Sequence, residues 1–407
     1  MSLVFRHDQA SGDAVFKPDD EFECGSAAGL AASGWGWREI VAQTAHRTGV
    51  LKYVGHVSQK YELRLKAGKL LPALRRVSHS KYAILCYHRV GTEGIPYYST
   101  MPTRQFEMQM QFLRENFHVL SLRQLCDELR NPAGCGRGVA VTFDDGYSDL
   151  FTHALPVLRK YEIPATVYLT AGCIETGEVA WYDRIFLALQ VAPGPAIEVP
   201  IKGGLRFLLG SPQQRVEIGA QIVSILRRTA VPEQRHCCAA LEQQLSLPLD
   251  KLTHRMLSWA QVREMRSAGI FFGSHTLSHP VLSQLDIADI EKELGESKSM
   301  LETRLGEPVL DFAFPFGKAE DCGPIAQAAV ARCGYRSAVT TVWGINTPGA
   351  DMYSLRRLRL GDERTVAKFG LQLHREFFRV SESSGPSVPL SENANGLHEE
   401  PAILKPR

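Results

Sequence analysis

The sequence predicts an α/β fold, a parallel sheet flanked by helices and broken by one long insertion. Three observations carry this. Apolar, β-branched runs recur along the chain, each followed by a segment of helical periodicity, a rhythm that implies parallel strands joined by right-handed crossovers. The central run Val139-Ala-Val-Thr-Phe143 ends in Asp144-Asp145-Gly146-Tyr147, two adjacent carboxylates where a strand meets its helix. Residues from about 174 to 257 abandon the rhythm and read as helical segments with no strong strand signal.

Residues 1–35 are rich in Gly, Ala and Asp without periodicity and are expected to form a flexible lead. Residues 36–80 read as a helical extension carrying Lys60, Arg64, Lys66, Lys69, Arg75 and Arg76. That basic face suits a solvated helix packed on the main domain. Its sharper reading is peripheral contact with anionic lipid or a membrane-bound glycan-synthesis complex. The main domain spans 81–380. Its first strand, from Lys81, delivers His88 and Arg89 at its end.

Thr103 and Ser121 are placed as caps of helices at about 104–115 and 122–130. A helix from Asp149 to Lys160 leads to a strand at Pro164–Thr170. Within the insertion, helices are expected at about 182–190, 212–228 and 233–245. Ser258 opens the next helix in capping-box form, and Gly269 stops it. Ile270–Gly273 is a short strand, Asp286 begins a long helix ended by Gly306, and Val309–Phe314 is another strand. Helix 324–333, strand 337–342, a last short strand at Leu358–Asp362 and a closing helix from Thr365 complete the domain. The Ser-, Glu- and Asn-rich residues 381–407 read as a disordered tail.

A net charge of +2 gives no polyelectrolyte attraction to nucleic acid, and no apolar run approaches the length of a transmembrane segment. The first residues lack the basic and apolar regions of a secretory signal. Nine scattered cysteines without Cys-x-x-Cys spacing fit reduced thiols better than a disulfide framework. A cytoplasmic location is the expectation, with membrane association as the second reading.

Adjacent carboxylates repel, and burying either one costs several kcal/mol, on the order of the transfer penalty for a charge, unless it is paired or metal-bound. The carboxyl edge of a parallel sheet is also where α/β proteins place their chemistry. A DDG turn with solvated acids is the plain alternative. Downstream, Phe272-Gly-Ser-His275-Thr-Leu-Ser-His279-Pro280 brings two histidines at i and i+4, on one face if helical or tightly turned. Two neutral imidazoles and one carboxylate make a facial set for a divalent ion.

TFDDG followed by SHTLSHP resembles the NodB-homology polysaccharide deacetylases, carbohydrate esterase family 4, over about Tyr82 to Phe378. The resemblance implies a distorted (β/α) barrel of the polysaccharide deacetylase type with a helical insertion. It also implies metal-dependent removal of N-acetyl groups from N-acetylhexosamine units of a bacterial polysaccharide or glycan precursor. On the matching positions it makes Asp144 the general base and Asp145, His275 and His279 the metal ligands. The oxyanion would be met by the metal and a backbone N–H near Tyr147. Zinc is the first choice of ion, and cobalt, nickel or iron fit the same geometry.

Tyr147, Trp181, Phe314, Pro315 and Phe316 are candidates for the substrate groove. For Trp181-Tyr182-Asp183-Arg184 a buried Trp with an Asp–Arg pair anchoring the insertion is the alternative. The chain departs from the family pattern at Ala313-Phe314-Pro315-Phe316, where an Arg-x-Pro-Tyr segment would supply an arginine to the base. No convincing late Leu-x-x-x-His segment is found, and His374 reads as a surface residue of the closing helix. His88 is therefore the candidate general acid, with Arg89 steadying a carboxylate. The departures suggest a branch of the kind associated with exopolysaccharide or lipid-linked glycan synthesis. An O-deacetylase on the same scaffold, a chito-oligosaccharide deacetylase and a glycan-binding protein without turnover are the competing readings.

Overall fold

The computed structural model describes residues 80–91, 100–131, 136–201, 204–245, 255–359 and 365–378. The expected N-terminal lead, the basic extension and the C-terminal tail lie outside the described residues. Among the described residues ten strands are present: β1 (Lys81–Tyr87), β2 (His118–Val119), β3 (Arg137–Phe143), β4 (Ala165–Leu169), β5 (Ala196–Val199), β6 (Leu205–Leu208), β7 (Phe271–Ser274), β8 (Asp311–Ala313), β9 (Ser337–Trp343) and β10 (Leu355–Arg357). Eight form one sheet in the order β1-β3-β4-β7-β8-β9-β10, with β2 paired to β3, and every pairing is parallel. Just past β10, the Leu358 N–H donates to Ile84 O at 2.8 Å and its carbonyl accepts from Cys86 N at 3.0 Å. This joins the last strand to the first and all but closes a parallel barrel.

Period-2 alternation sorts the strand residues into two cores. Ala83, Leu85, Val139, Val141, Phe143, Val167 and Leu169 pack outward under the helices in the larger core. Tyr82, Ile84, Ala140, Tyr168, Ala313, Val339 and Leu355 form the smaller core, with Leu122, Leu125 and Leu129 of a helix packed on it. The alternation that turns Ala140 inward carries on through Thr142 to Asp144. From Leu355 it carries on to Arg357.

The described residues form twelve α-helices: α1 (Thr103–Asn116), α2 (Leu122–Arg130), α3 (Leu155–Lys160), α4 (Ala171–Thr176), α5 (Trp181–Val191), α6 (Pro212–Leu226), α7 (Val231–Leu245), α8 (Trp259–Ser267), α9 (Ile287–Leu305), α10 (Ala319–Cys322), α11 (Pro324–Arg332) and α12 (Val366–Phe378). Ser121 and Ser258 close capping boxes with Gln124 and Gln261, and Asp286 caps α9, as their spacing predicts. Thr103 does not cap α1. Pro102 takes that position, and the Thr103 hydroxyl lies 3.3 Å from His153 Nδ1.

Three further expectations are corrected. The insertion is not wholly helical, because β5 and β6 form an antiparallel hairpin within it. The last strand is Leu355–Arg357, three residues ahead of its expected start. The helix after the DDG turn begins as one π-helical turn, Leu150–Ala154, before α3. No described helix is long and apolar enough to cross a membrane.

Candidate active site

The Asp144-Asp145-Gly146 turn follows β3 at the carboxyl end of the barrel, and three backbone features set its shape. Asp145 has φ 70° and Gly146 φ 90°. A Cβ on Gly146 would lie 2.7 Å from Leu169 Cδ2 and 3.0 Å from Ile174 Cδ1. Gly146→Ala is therefore expected to cost about 2–4 kcal/mol, from left-handed strain and local overpacking together. A lowered urea midpoint at unchanged m-value would show it, and an unchanged midpoint would contradict it.

Asp144 is buried and meets the largest fully buried side chain of the described residues, Arg357. The guanidinium forks onto both carboxylate oxygens, NH1 to Oδ1 and NH2 to Oδ2, each at 2.7 Å. Its Nε donates to Thr340 O at 2.7 Å, and NH1 also reaches Thr142 Oγ1 at 3.3 Å. Burial alone would favour the neutral acid. The Arg357 charge and its bidentate bonds outweigh this and hold the carboxyl well below the usual carboxylate range. Asp144 thus has an arginine, supplied by the last strand and not by the Ala313–Phe316 segment.

Two other groups reach the same carboxylate. The Cys86 thiol, pushed up to about 12 chiefly by burial, lies 3.6 Å from Asp144 Oδ2. His88 Nε2 is 3.9 Å from that oxygen, and the His88 side chain is 14% exposed. Cys86, His88 and Asp144 have the composition of a metal trio. A cation there would have to compete with the Arg357 fork for both oxygens and displace a proton from a buried thiol. Arg89 steadies Asp149 at 2.6 Å, not Asp144, and its guanidinium lies over the Tyr147 ring.

Asp145, His275 and His279 form a second cluster, fully buried. Asp145 Oδ1 is 3.4 Å from His279 Nε2 and 3.7 Å from His275 Nε2. The histidine pair is not helical. It spans an irregular loop with Thr276 at φ 66° and His279 at φ 59°. Of the five non-glycine residues with positive φ among the described residues, four (Asp145, Thr276, His279 and Phe316) surround this cluster. Strain gathered at one place is a mark of a functional site.

Glu293 of α9 pins the loop, accepting from the Leu277 and Ser278 amides at 2.9 Å each and from Ser278 Oγ at 2.6 Å. His275 Nδ1 donates to Ala313 O at 2.7 Å, which leaves Nε2 as the unprotonated nitrogen. Burial, with Asp144 opposing, lowers the His275 ring to about 4, so it is neutral at pH 7. Asp145 Oδ2 is buried without a hydrogen-bond partner. A neutral imidazole lone pair, a second ring and an orphaned carboxylate oxygen fit a divalent cation held by Asp145, His275 and His279.

The remaining predicted residues divide. Trp181 and Phe316 are half-buried beside His279, Trp181 through an Nε1–H donated to His279 O at 3.2 Å and Phe316 at 4.9 Å between ring centroids. Tyr147, Phe314 and Pro315 are buried, so their side chains support the floor and do not face an open groove. The Tyr147 hydroxyl donates to Asp183 Oδ2 at 2.5 Å. Asp183, pushed up to about 7 mainly by burial, does not pair with Arg184, which binds Glu178 and Glu242. His374 is not a free surface group, since its ring packs 5.1 Å from Phe117 and 6.2 Å from Phe112, on the helix side of the barrel. Arg357 and Glu293 escaped the sequence reading, and Tyr182 entered it only as part of the Trp181–Arg184 run. Only Arg357 left a signal, an arginine at the carboxyl end of a short strand.

One aspartate locked to an arginine, beside a buried Asp–His–His cluster at the carboxyl end of a parallel (β/α) barrel, defines a hydrolase. The polysaccharide deacetylase family model matches residues 132–338, and the chain belongs to that family, whose members are hydrolytic deacetylases. The chain is 22% identical over 296 residues to YxkH of Bacillus subtilis (strain 168), whose name assigns it to the polysaccharide deacetylases, covering 72% of this chain and 75% of that one. Among solved structures it is similar to the Streptococcus pyogenes deacetylase PplD in complex with acetate, with 22% identity and a TM-score of 0.49 over 72% of this chain and 98% of that one. It is also similar to IcaB from Ammonifex degensii, with 20% identity and a TM-score of 0.47 over 72% of this chain and 99% of that one.

Proposed function

We propose that the chain is a metal-dependent de-N-acetylase of N-acetylhexosamine units in a bacterial polysaccharide or glycan precursor, with zinc as its first-choice ion. The observation that carries this is the side-by-side placement of an ionised, arginine-locked carboxylate and a buried Asp–His–His donor set. Asp145, His275 and His279 hold the ion, which when bound supplies the Lewis acidity that polarises the acetyl carbonyl and acidifies the attacking water. Asp144 takes the proton of that water. Arg357 keeps Asp144 charged and aims both of its oxygens. His88, at the end of β1 and on the same side as Asp144, passes a proton to the departing amine. Trp181 and Phe316 offer aromatic faces to the sugar ring.

The test is acetate release from N-acetylglucosamine oligomers and from an O-acetylated glycan, with zinc or cobalt supplied. Asp144→Asn should lower release from the N-acetyl substrate by about 10²–10⁴-fold, the usual weight of a general base. Release from the ester alone would make the chain an O-deacetylase. No release from either, with no metal bound, would leave a glycan-binding protein and overturn the hydrolytic reading.

A further inference from the structure

We propose that Tyr182 is a positioning residue for the Asp145 carboxylate, so that the first turn of the insertion belongs to the metal site. The assignment rests on the metal reading above. Asp145 stands on a left-handed backbone at φ 70°, and its backbone carbonyl accepts only a long bond from Thr170 N at 3.3 Å. Its side-chain direction therefore needs a further constraint. The Tyr182 hydroxyl supplies it, donating to Asp145 Oδ1 at 3.0 Å with both groups buried.

The donor is itself held on several sides. The Tyr182 ring lies 4.9 Å from His279, 5.8 Å from Phe316 and 5.7 Å from Trp181, centroid to centroid. Three consecutive residues of α5 each bind one element of the site. Trp181 donates to the His279 carbonyl, Tyr182 to the Asp145 carboxylate, and Asp183 accepts from the Tyr147 hydroxyl. The far side of the insertion is tied down as well. Arg227 bonds both oxygens of Asp321 at 2.8 and 2.9 Å and stacks over Phe316 at 4.1 Å. The insertion thus grips the carboxylate turn at one end and the loop after β8 at the other. Hydrogen bonds to metal-ligating carboxylates fix their orientation, and losing one commonly costs 10–100-fold in metal affinity.

The test uses the full chain with Zn²⁺ in a chelator competition and with Co²⁺ read by its visible absorption. Tyr182→Phe keeps the ring and its packing and removes one hydroxyl. It should weaken Zn²⁺ binding by roughly 10-fold or more and shift the Co²⁺ bands. Tyr82→Phe is the comparison, since its ring is also buried and its hydroxyl donates to Glu128 Oε2 at 3.0 Å, at the amino end of β1 and away from the cluster. It should lose stability and leave affinity and spectrum unchanged. Equal affinity and spectrum in wild type and Tyr182→Phe would overturn the assignment alone, as would an equal loss of affinity in Tyr82→Phe. A wild-type chain that binds neither ion would overturn the metal reading itself, and this assignment with it.

Discussion

Replacing Arg357 with methionine is expected to destabilise the fold by about 3–5 kcal/mol and to lower deacetylation by about 10²-fold or more. Methionine fills much of the same space, so the cost is electrostatic. Asp144 would remain buried, with its oxygens stripped of both 2.7 Å bonds. In the wild type the folded carboxyl lies below its unfolded value, so the pair stabilises the fold above the unfolded pKa. That contribution is lost as pH falls through the folded one. Without the arginine, burial is opposed only by the weaker pull of His275 and His88 and is expected to raise the folded carboxyl above its unfolded value. The variant then loses stability as pH rises. Denaturant melts in chelator should therefore show a wild-type-to-variant gap that is wide at pH 7 and narrower at pH 5. A gap independent of pH would mean that Arg357 acts only by filling space. Arg357→Lys, which keeps the charge and loses the fork, should fall between the two.

Features that rest on local chemistry were legible in the sequence. The alternating runs, the capping boxes at Ser121 and Ser258 and the Asp286 cap are each fixed by a few neighbouring residues, and each stands where its spacing puts it. The hairpin of β5 and β6 was missed because its two strands have only four residues apiece, too few for a period to show. The last strand was displaced because Leu358-Arg-Leu360 alternates while the Arg356-Arg357 pair ahead of it breaks the period, and polarity argues for turning both arginines out. Arg357 turns in because a carboxylate 213 residues away receives it. No local pattern encodes a pairing over that distance, and the same holds for Tyr182 and Asp145, 37 residues apart. The buried positions of Tyr147 and Phe314 show the converse. An aromatic beside a motif can floor a site as readily as line it.

Removing one ring of the proposed metal set should produce the largest loss of function. His275→Ala deletes the nitrogen that is already presented as a neutral donor by the Ala313 carbonyl. It also opens a void in a cluster whose groups all lie within 4.8 Å of one another. Zinc binding should fall below detection, and acetate release with it. Thermal unfolding gives an independent reading, because an ion that binds only the folded chain stabilises it by about 2.7 kcal/mol at 100 times its Kd. Wild type should therefore melt roughly 5 °C higher with zinc than in chelator, and His275→Ala should melt at one temperature in both. The void makes the variant less stable in both conditions, so the difference between conditions carries the information. Asp145 sets the sign of the effect: its carboxylate is buried, with one oxygen lacking any hydrogen-bond partner. A cation relieves that cost only while the imidazoles share in holding it. An equal zinc-induced rise in both proteins would place the ion elsewhere and remove His275 from the set.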